Sequence, residues 1–328
     1  MKLLIVLQHH LDLWNVPAWF GEKLGREFPQ LQIVVRRNYE GVEEFLGEAE
    51  VLFTLSLRPE QFAVAHKLRW IHSPSAAVHQ LMFTQLVNSE VVITNSREVH
   101  GPVVAEHVIA LIFALAKKIP QAAVLQQKGV WGQEAMWNEG AHIREISGAT
   151  LGLIGVGSIG RRVAKMASAV GMRVVAVREH VESGAPEGVE QVFGTSALDE
   201  MLKQSDFVVV AAPLLAETRG LIDATRLAVM KPEAYLINVG RGAQVDEAAL
   251  TAALRSHRIA GAALDVFEEE PLPADSPLWS LENLLITPHT AGLSEMIWQR
   301  QHEVFSDNLH RYLTRQPLRF VVDKCKGY

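Results

Sequence analysis

The stretch Leu151-Gly-Leu-Ile-Gly-Val-Gly-Ser-Ile-Gly160 decides how the rest of this chain is read. Its Gly-x-Gly-x-x-Gly string is a weak signal alone. Here it follows a short apolar run ending at Ile154 and precedes Arg161 to Val170, where Val163, Ala164, Met166, Ala167 and Val170 recur at helical spacing. Strand, tight turn and helix start in that order are the opening of a dinucleotide-binding unit. Gly155 permits the turn, Gly157 lets backbone approach a pyrophosphate, and Gly160 lets helix and strand pack closely. The N–H groups of Ser158, Ile159 and Gly160 then face the phosphates from the helix N-terminus.

Around this stretch the pattern predicts a parallel sheet. Short apolar runs fall at Thr150 to Ile154, Arg173 to Val177, Phe207 to Ala211, Ala234 to Val239, Gly261 to Leu264 and Leu284 to Thr287. A continuous apolar run such as Phe207-Val-Val-Val-Ala211 suits a strand covered on both faces. Before residue 96 a second set of runs, Leu3 to Leu7, Ile33 to Val35, Val51 to Thr54, Arg69 to His72 and Val91 to Thr94, alternates with amphipathic segments but carries no glycine fingerprint. Between the sets, Val103 to Lys118 reads as a helix apolar enough to be buried between domains or subunits, with an intrachain buried helix as the alternative, and Trp131 to Ile146 as an extended connection. Asp246 is the expected N-cap of a helix reaching His257, and Ser294 to Thr314 reads as an amphipathic helix.

Composition narrows the class. With 328 residues the chain exceeds what one core usually serves, and 48% hydrophobic against 21% charged residues is a globular balance. A net charge of −6 and the lack of any Lys/Arg run argue against nucleic acid as partner. The single cysteine, Cys325, has no internal partner for a disulfide, and no apolar run is long enough to span a bilayer. A cytoplasmic protein with no membrane partner is the expectation, and no metal is expected.

Three polar residues fall just beyond strand ends, where a sheet of this kind delivers side chains to a crevice: Arg241, Glu270 and His289. At this point the chain resembles the D-isomer-specific 2-hydroxyacid dehydrogenases. The resemblance is carried in order by Thr94-Asn-Ser96, Val104-Ala-Glu-His107, the glycine fingerprint, Ala212-Pro-Leu214, Glu217-Thr-Arg-Gly-Leu-Ile222 and Met230-Lys-Pro232. It continues through Leu236-Ile-Asn-Val-Gly-Arg-Gly242, Leu264-Asp-Val-Phe267, Glu270-Pro-Leu272 and Pro288-His-Thr-Ala-Gly292. It implies a catalytic set of Arg241, Glu270 and His289, and a cofactor lined by the glycine turn, Pro213, Val239, Gly240 and Asp265. For Asp265 a capping role is the alternative. It also implies that the backbone of Ala76 and Ala77 meets the substrate carboxylate, where relatives carry a more Gly-rich loop and where a plain turn is the competing reading.

The chemistry of the catalytic set stands on its own. Reduction of a 2-oxo acid needs a hydride to carbon and a proton to oxygen. Arg241 offers a planar fork of donors to carboxylate and ketone oxygens. His289 is the proton donor, and a neighbouring carboxylate such as Glu270 favours the imidazolium and fixes its orientation.

The second strand of the dinucleotide unit ends at Val177, and the next residues are Arg178 and Glu179. An arginine there pairs with a 2′-phosphate, which favours NADP over NAD, while Glu179 would reverse the choice if it reached the ribose. The architecture implied is α/β, with two doubly wound parallel-sheet, Rossmann-like domains and an interdomain cleft. Residues 1–98 and 291–328 form a discontinuous, flavodoxin-like substrate domain, and residues 99–290 the NAD(P)-binding domain. The resemblance further implies a homodimer reducing glyoxylate, hydroxypyruvate or another small 2-oxo acid to its D-2-hydroxy acid. The rival reading is a dinucleotide-sensing, corepressor-like binding protein. A formate dehydrogenase is disfavoured by Glu270, where those enzymes resemble this pattern with a neutral residue.

Overall fold

The structure is a computed structural model and describes residues 1–328 apart from Glu139, Lys326, Tyr328 and the side chain of Ser183. The chain divides into two compact units, Met1–His100 with Ser294–Tyr328, and Gly101–Leu293.

In the first unit β1 (Lys2–Val6), β2 (Gln32–Arg36), β3 (Val51–Thr54), β4 (Trp70–Ser73) and β5 (Val92–Asn95) form one sheet in the order β2-β1-β3-β4-β5. Every pairing is parallel, which is the flavodoxin-like order. The two-residue period of the strands sorts their side chains. Leu4, Leu52, Ile71 and Ile93 enter one core, and Leu3, Ile5, Phe53 and Trp70 enter the other. The second face is covered partly by helix Ile297–Leu313, through Trp298, Phe305 and Leu309, so the end of the chain completes the core begun by its start. A buried polar chain threads this unit. Trp70 Nε1 donates to Thr94 Oγ1 at 2.8 Å, His72 meets Thr94 Oγ1 at 2.7 Å and Ser96 Oγ at 3.1 Å, and Ser96 Oγ donates to Gln301 Oε1 at 2.6 Å. Complete burial pushes the His72 imidazole down to about 3.

The second unit holds β6 (Thr150–Ile154), β7 (Arg173–Val177), β8 (Gln191–Phe193), β9 (Phe207–Val210), β10 (Tyr235–Asn238), β11 (Gly261–Leu264) and β12 (Leu284–Ile286). Their order is β12-β11-β10-β9-β6-β7-β8, all parallel. Strand order reverses between β6 and β9, the switch point where doubly wound sheets bind ligands beyond their strand C-termini.

Some sequence expectations need correction. The helix placed at Val103 to Lys118 spans Gly101–Ala116, and its Val104, Val108, Leu111 and Ile112 are buried in one core with Val163, Ala164 and Ala167 of helix Ser158–Ala169, inside the same unit. Lys118, at φ 52, breaks it from a further helix, Ile119–Gln127, bent by 66°. The segment from Trp131 to Ile146 contains helix Gln133–Asn138, which buries none of its residues and so left no periodic trace. The C-terminal helix begins at Ile297 rather than Ser294. Among the described residues no single helix is long and apolar enough to cross a membrane.

Candidate active site

The glycine turn joins β6 to helix Ser158–Ala169, and each glycine answers a different constraint. Gly155 sits at φ +94, and a Cβ there would lie 2.8 Å from the Ala212 Cα. At Gly160 a Cβ would lie 2.2 Å from the Gly155 carbonyl oxygen, which is the close helix-to-strand approach. Gly157, the residue capping the helix, has nothing within 4 Å of where its Cβ would stand. The first helical bond runs from Arg161 N to Gly157 O at 3.1 Å, so the N–H groups of Ser158, Ile159 and Gly160 precede the helical ladder. A backbone turn with positive helix-end charge, and with open space beside Gly157 among the described residues, fits a pyrophosphate.

At the end of β7, Arg178 is half-buried, donates through its backbone N–H to Phe193 O at 3.1 Å and through Nη1 to Gly184 O at 3.4 Å. Glu179 is exposed, its carboxylate 3.9 Å from His180 Nε2.

Beyond β10 the chain makes a turn that is held from inside. Asn238, fully buried, accepts from Gly240 N at 3.0 Å and donates to Arg241 O at 3.0 Å. Val239 is buried, Arg241 Nη1 donates back to Gly240 O at 2.7 Å, and Gln244 Oε1 accepts from Arg241 N at 2.8 Å. A Cβ on Gly242 would lie 1.8 Å from the Phe267 carbonyl carbon, so the Arg241 turn is seated directly on the chain that leads to Glu270. Desolvation pulls the Arg241 guanidinium below its usual value although part of its surface is exposed, and the Glu270 carboxylate works against that pull.

His289 and Glu270 meet. Glu270 Oε2 lies 2.6 Å from His289 Nδ1, while Glu270 Oε1 accepts from Phe267 N at 2.9 Å, which fixes the carboxylate. His289 itself is held at φ 52, with its N–H shared between Asp265 O and Thr287 O, each at 2.9 Å.

Residues 109–291 match the family described as D-isomer specific 2-hydroxyacid dehydrogenase, NAD binding domain. The chain is 34% identical over 305 residues to glyoxylate reductase of Korarchaeum cryptofilum, covering 91% of this chain and 85% of that protein. It is 30% identical over 307 residues to D-3-phosphoglycerate dehydrogenase of Methanocaldococcus jannaschii, covering 92% of this chain but 57% of that longer protein. Among solved structures, a D-isomer specific 2-hydroxyacid dehydrogenase from Xanthobacter autotrophicus, in complex with NADPH and MES, superimposes with a TM-score of 0.83 at 32% identity, covering 99% of both chains. The chain belongs to the D-isomer specific 2-hydroxyacid dehydrogenase family. It is an oxidoreductase of CH–OH donors that uses a nicotinamide dinucleotide. The corepressor-like reading is not favoured by these relatives.

In this dehydrogenase Asp265 is an acceptor for the loop that carries His289. The buried carboxylate accepts from Thr287 Oγ1 at 2.6 Å, Thr290 N at 2.9 Å and Ala291 N at 3.1 Å, and so ties down the loop that carries His289. Behind it, His107 Nε2 lies 3.1 Å from Thr287 Oγ1 and 3.7 Å from Asp265 Oδ1. Thr287 gives its one proton to Asp265, so His107 is the donor in that contact. Burial lowers the His107 imidazole, and Asp265 opposes this. Sequence reasoning carried His107 and Asn238 only as members of a motif, with no role, and passed over Gln244. Buried polar residues beside a motif glycine are the signal that was available.

Ala76 and Ala77 lie in the other unit, on the loop after β4. Asn95 Nδ2 donates to Ala76 O at 2.8 Å, Gln301 Nε2 to Pro74 O at 2.6 Å, and the Ala77 N–H to Ser75 Oγ at 3.2 Å, so the loop is a braced structure. Pro213 follows β9, and its carbonyl is 3.3 Å from Gln244 Nε2.

Proposed function

We propose that this protein reduces a small 2-oxo acid of the glyoxylate or hydroxypyruvate type to its D-2-hydroxy acid, with Arg241, Glu270 and His289 as the catalytic set. The observation that carries the reading is the 2.6 Å contact between His289 Nδ1 and Glu270 Oε2 at the strand C-termini of a dinucleotide-binding sheet. With Nδ1 engaged by a carboxylate, Nε2 is the atom left to exchange a proton with substrate. In reduction, protonated His289 gives the Nε2 proton to the ketone oxygen. In oxidation, neutral His289 takes the hydroxyl proton at the same atom. Arg241 holds the substrate carboxylate and polarises the ketone through its fork of N–H donors. The nicotinamide, when bound, supplies or accepts the hydride. Gly155, Gly157, Ser158, Ile159 and Gly160 hold its pyrophosphate, and Pro213, Val239 and Gly240 line it. Asp265 acts through the His289 loop. By resemblance, carboxylate binding is also assigned to the backbone of Ala76 and Ala77.

Arg178 supports NADP as the preferred cofactor, since its guanidinium stands at the end of β7 and is tied there by a long hydrogen bond, 3.4 Å, to Gly184 O. NADPH in the Xanthobacter structure agrees with this choice. A homodimer is supported by the exposed apolar residues of the segment after helix Gly101–Ala116, namely Ile119, Val124, Trp131 and Trp137. The lone cysteine is compatible with a cytoplasmic location. The test of function is steady-state oxidation of NADPH and of NADH against a panel of 2-oxo acids. Turnover of short acids with NADPH is expected, and cofactor binding without turnover of any acid would overturn the reading.

A further inference from the structure

Gln244 is a completely enclosed polar side chain beside the proposed site, with 0% exposure. Its amide reaches two separate loops. Oε1 accepts from the Arg241 backbone N–H at 2.8 Å, and Nε2 donates to the carbonyls of Ala212 at 3.2 Å and Pro213 at 3.3 Å. Gly240 makes room for it, because a Cβ there would stand 2.2 Å from Gln244 Oε1. One amide therefore joins the turn that carries Arg241 to the loop after β9, which lies against the glycine turn so closely that a Cβ on Gly155 would stand 2.8 Å from the Ala212 Cα.

We propose that Gln244 is a positioning residue that couples the substrate-carboxylate arginine to the cofactor loop Ala212–Pro213. The inference rests on the reading of Arg241 as the carboxylate clamp. The amide supplies an acceptor toward Arg241 N–H and donors toward both carbonyls. Replacing it with an apolar group of like length leaves an N–H and two carbonyls without their partner, and both loops are then free to shift.

Gln244→Met keeps the volume and removes the polarity. It is expected to raise the NADPH Kd, measured by cofactor fluorescence on the full chain, and the KM for glyoxylate, each by about tenfold, because each loop loses its hydrogen bond to the amide. Gln244→Glu gives a second signature. A neutral carboxyl accepts from Arg241 N–H and donates to one carbonyl, whereas the ionised form repels both carbonyls. Its NADPH Kd is therefore expected to rise with pH across a range where the parent stays flat. If Gln244→Met leaves both constants within about twofold of the parent and lowers only the melting temperature, the amide merely supports the fold and the proposal fails. Should that variant not fold, a pH-independent Kd for Gln244→Glu overturns it equally, and failure of both to fold does the same. Arg241→Lys separates the two claims. A raised KM in that variant with silent Gln244 variants leaves the clamp standing and removes the coupling, while no change in any of them removes the clamp.

Discussion

Glu270 holds His289 by a single 2.6 Å contact to Nδ1, and the backbone N–H of Phe267 holds Glu270 in turn at 2.9 Å. The carboxylate can only accept, so the shared proton belongs to the ring nitrogen and the ring has one orientation. A glutamine in its place would offer either its oxygen or its amide nitrogen to the same atom. Glu270→Gln is therefore expected to lower kcat for 2-oxo acid reduction by about a hundredfold, with a much smaller change in KM. Unchanged kcat would show that the pair does not orient the proton donor.

The glycine turn makes opposite predictions at two of its positions. A Cβ at Gly157 would meet nothing within 4 Å, so Gly157→Val should fold with a melting temperature close to the parent and lose dinucleotide binding, because its side chain fills the pyrophosphate cradle. Gly160→Ala should instead lose about 1–3 kcal/mol of stability, because its methyl meets the Gly155 carbonyl at 2.2 Å. Calorimetric titration with NADPH and thermal melts of both variants check the pair. Normal binding by Gly157→Val would remove the cradle from the account.

How far the sequence disclosed this architecture depends on what kind of information each feature needs. The strand runs around Ile5, Phe53, Leu151, Leu153 and Val208 were legible because buried parallel strands are apolar throughout. Strand β8 was not, since Gln191–Phe193 is a three-residue edge with only Phe193 buried. Arg241, Glu270 and His289 could be singled out because each follows a strand within a recognisable motif. The partners of Asn238, Asp265 and Gln244 were not legible. Asp265 meets Thr287, 22 residues away, and Gln244 meets Ala212, 32 residues away, and only the folded sheet brings them near.

Cofactor preference is tested at Arg178. Arg178→Asp should weaken NADPH binding by about tenfold or more and NADH binding much less, at one fixed ionic strength, since an acceptor for the ribose hydroxyls replaces a partner for the 2′-phosphate. Equal loss for both cofactors would show that this guanidinium does not read the phosphate.

His72 gives the first unit an acid-sensitive core. Its imidazole is pushed from 6.5 to about 3 by burial, so between those values the unfolded chain binds a proton that the native chain refuses. Stability from this site is complete above pH 6.5 and falls as pH drops toward 3, by about 1.4 kcal/mol per pH unit. Urea unfolding of the parent and of His72→Gln at pH 7 and pH 5 should show the parent losing about 2 kcal/mol more than the variant over that interval. An identical pH dependence in the two proteins would contradict a neutral, buried His72.

The most direct test of the central claim is the proton donor itself. Reduction of glyoxylate by NADPH is measured in parallel with NADPH affinity for the parent and for His289→Asn, across pH 5 to 9. The account predicts that turnover falls by about a thousandfold or more at every pH while the NADPH Kd stays within about twofold, since His289 carries the proton and does not hold the dinucleotide. A variant that turns over glyoxylate near the parent rate would place the proton donor elsewhere and contradict the assignment.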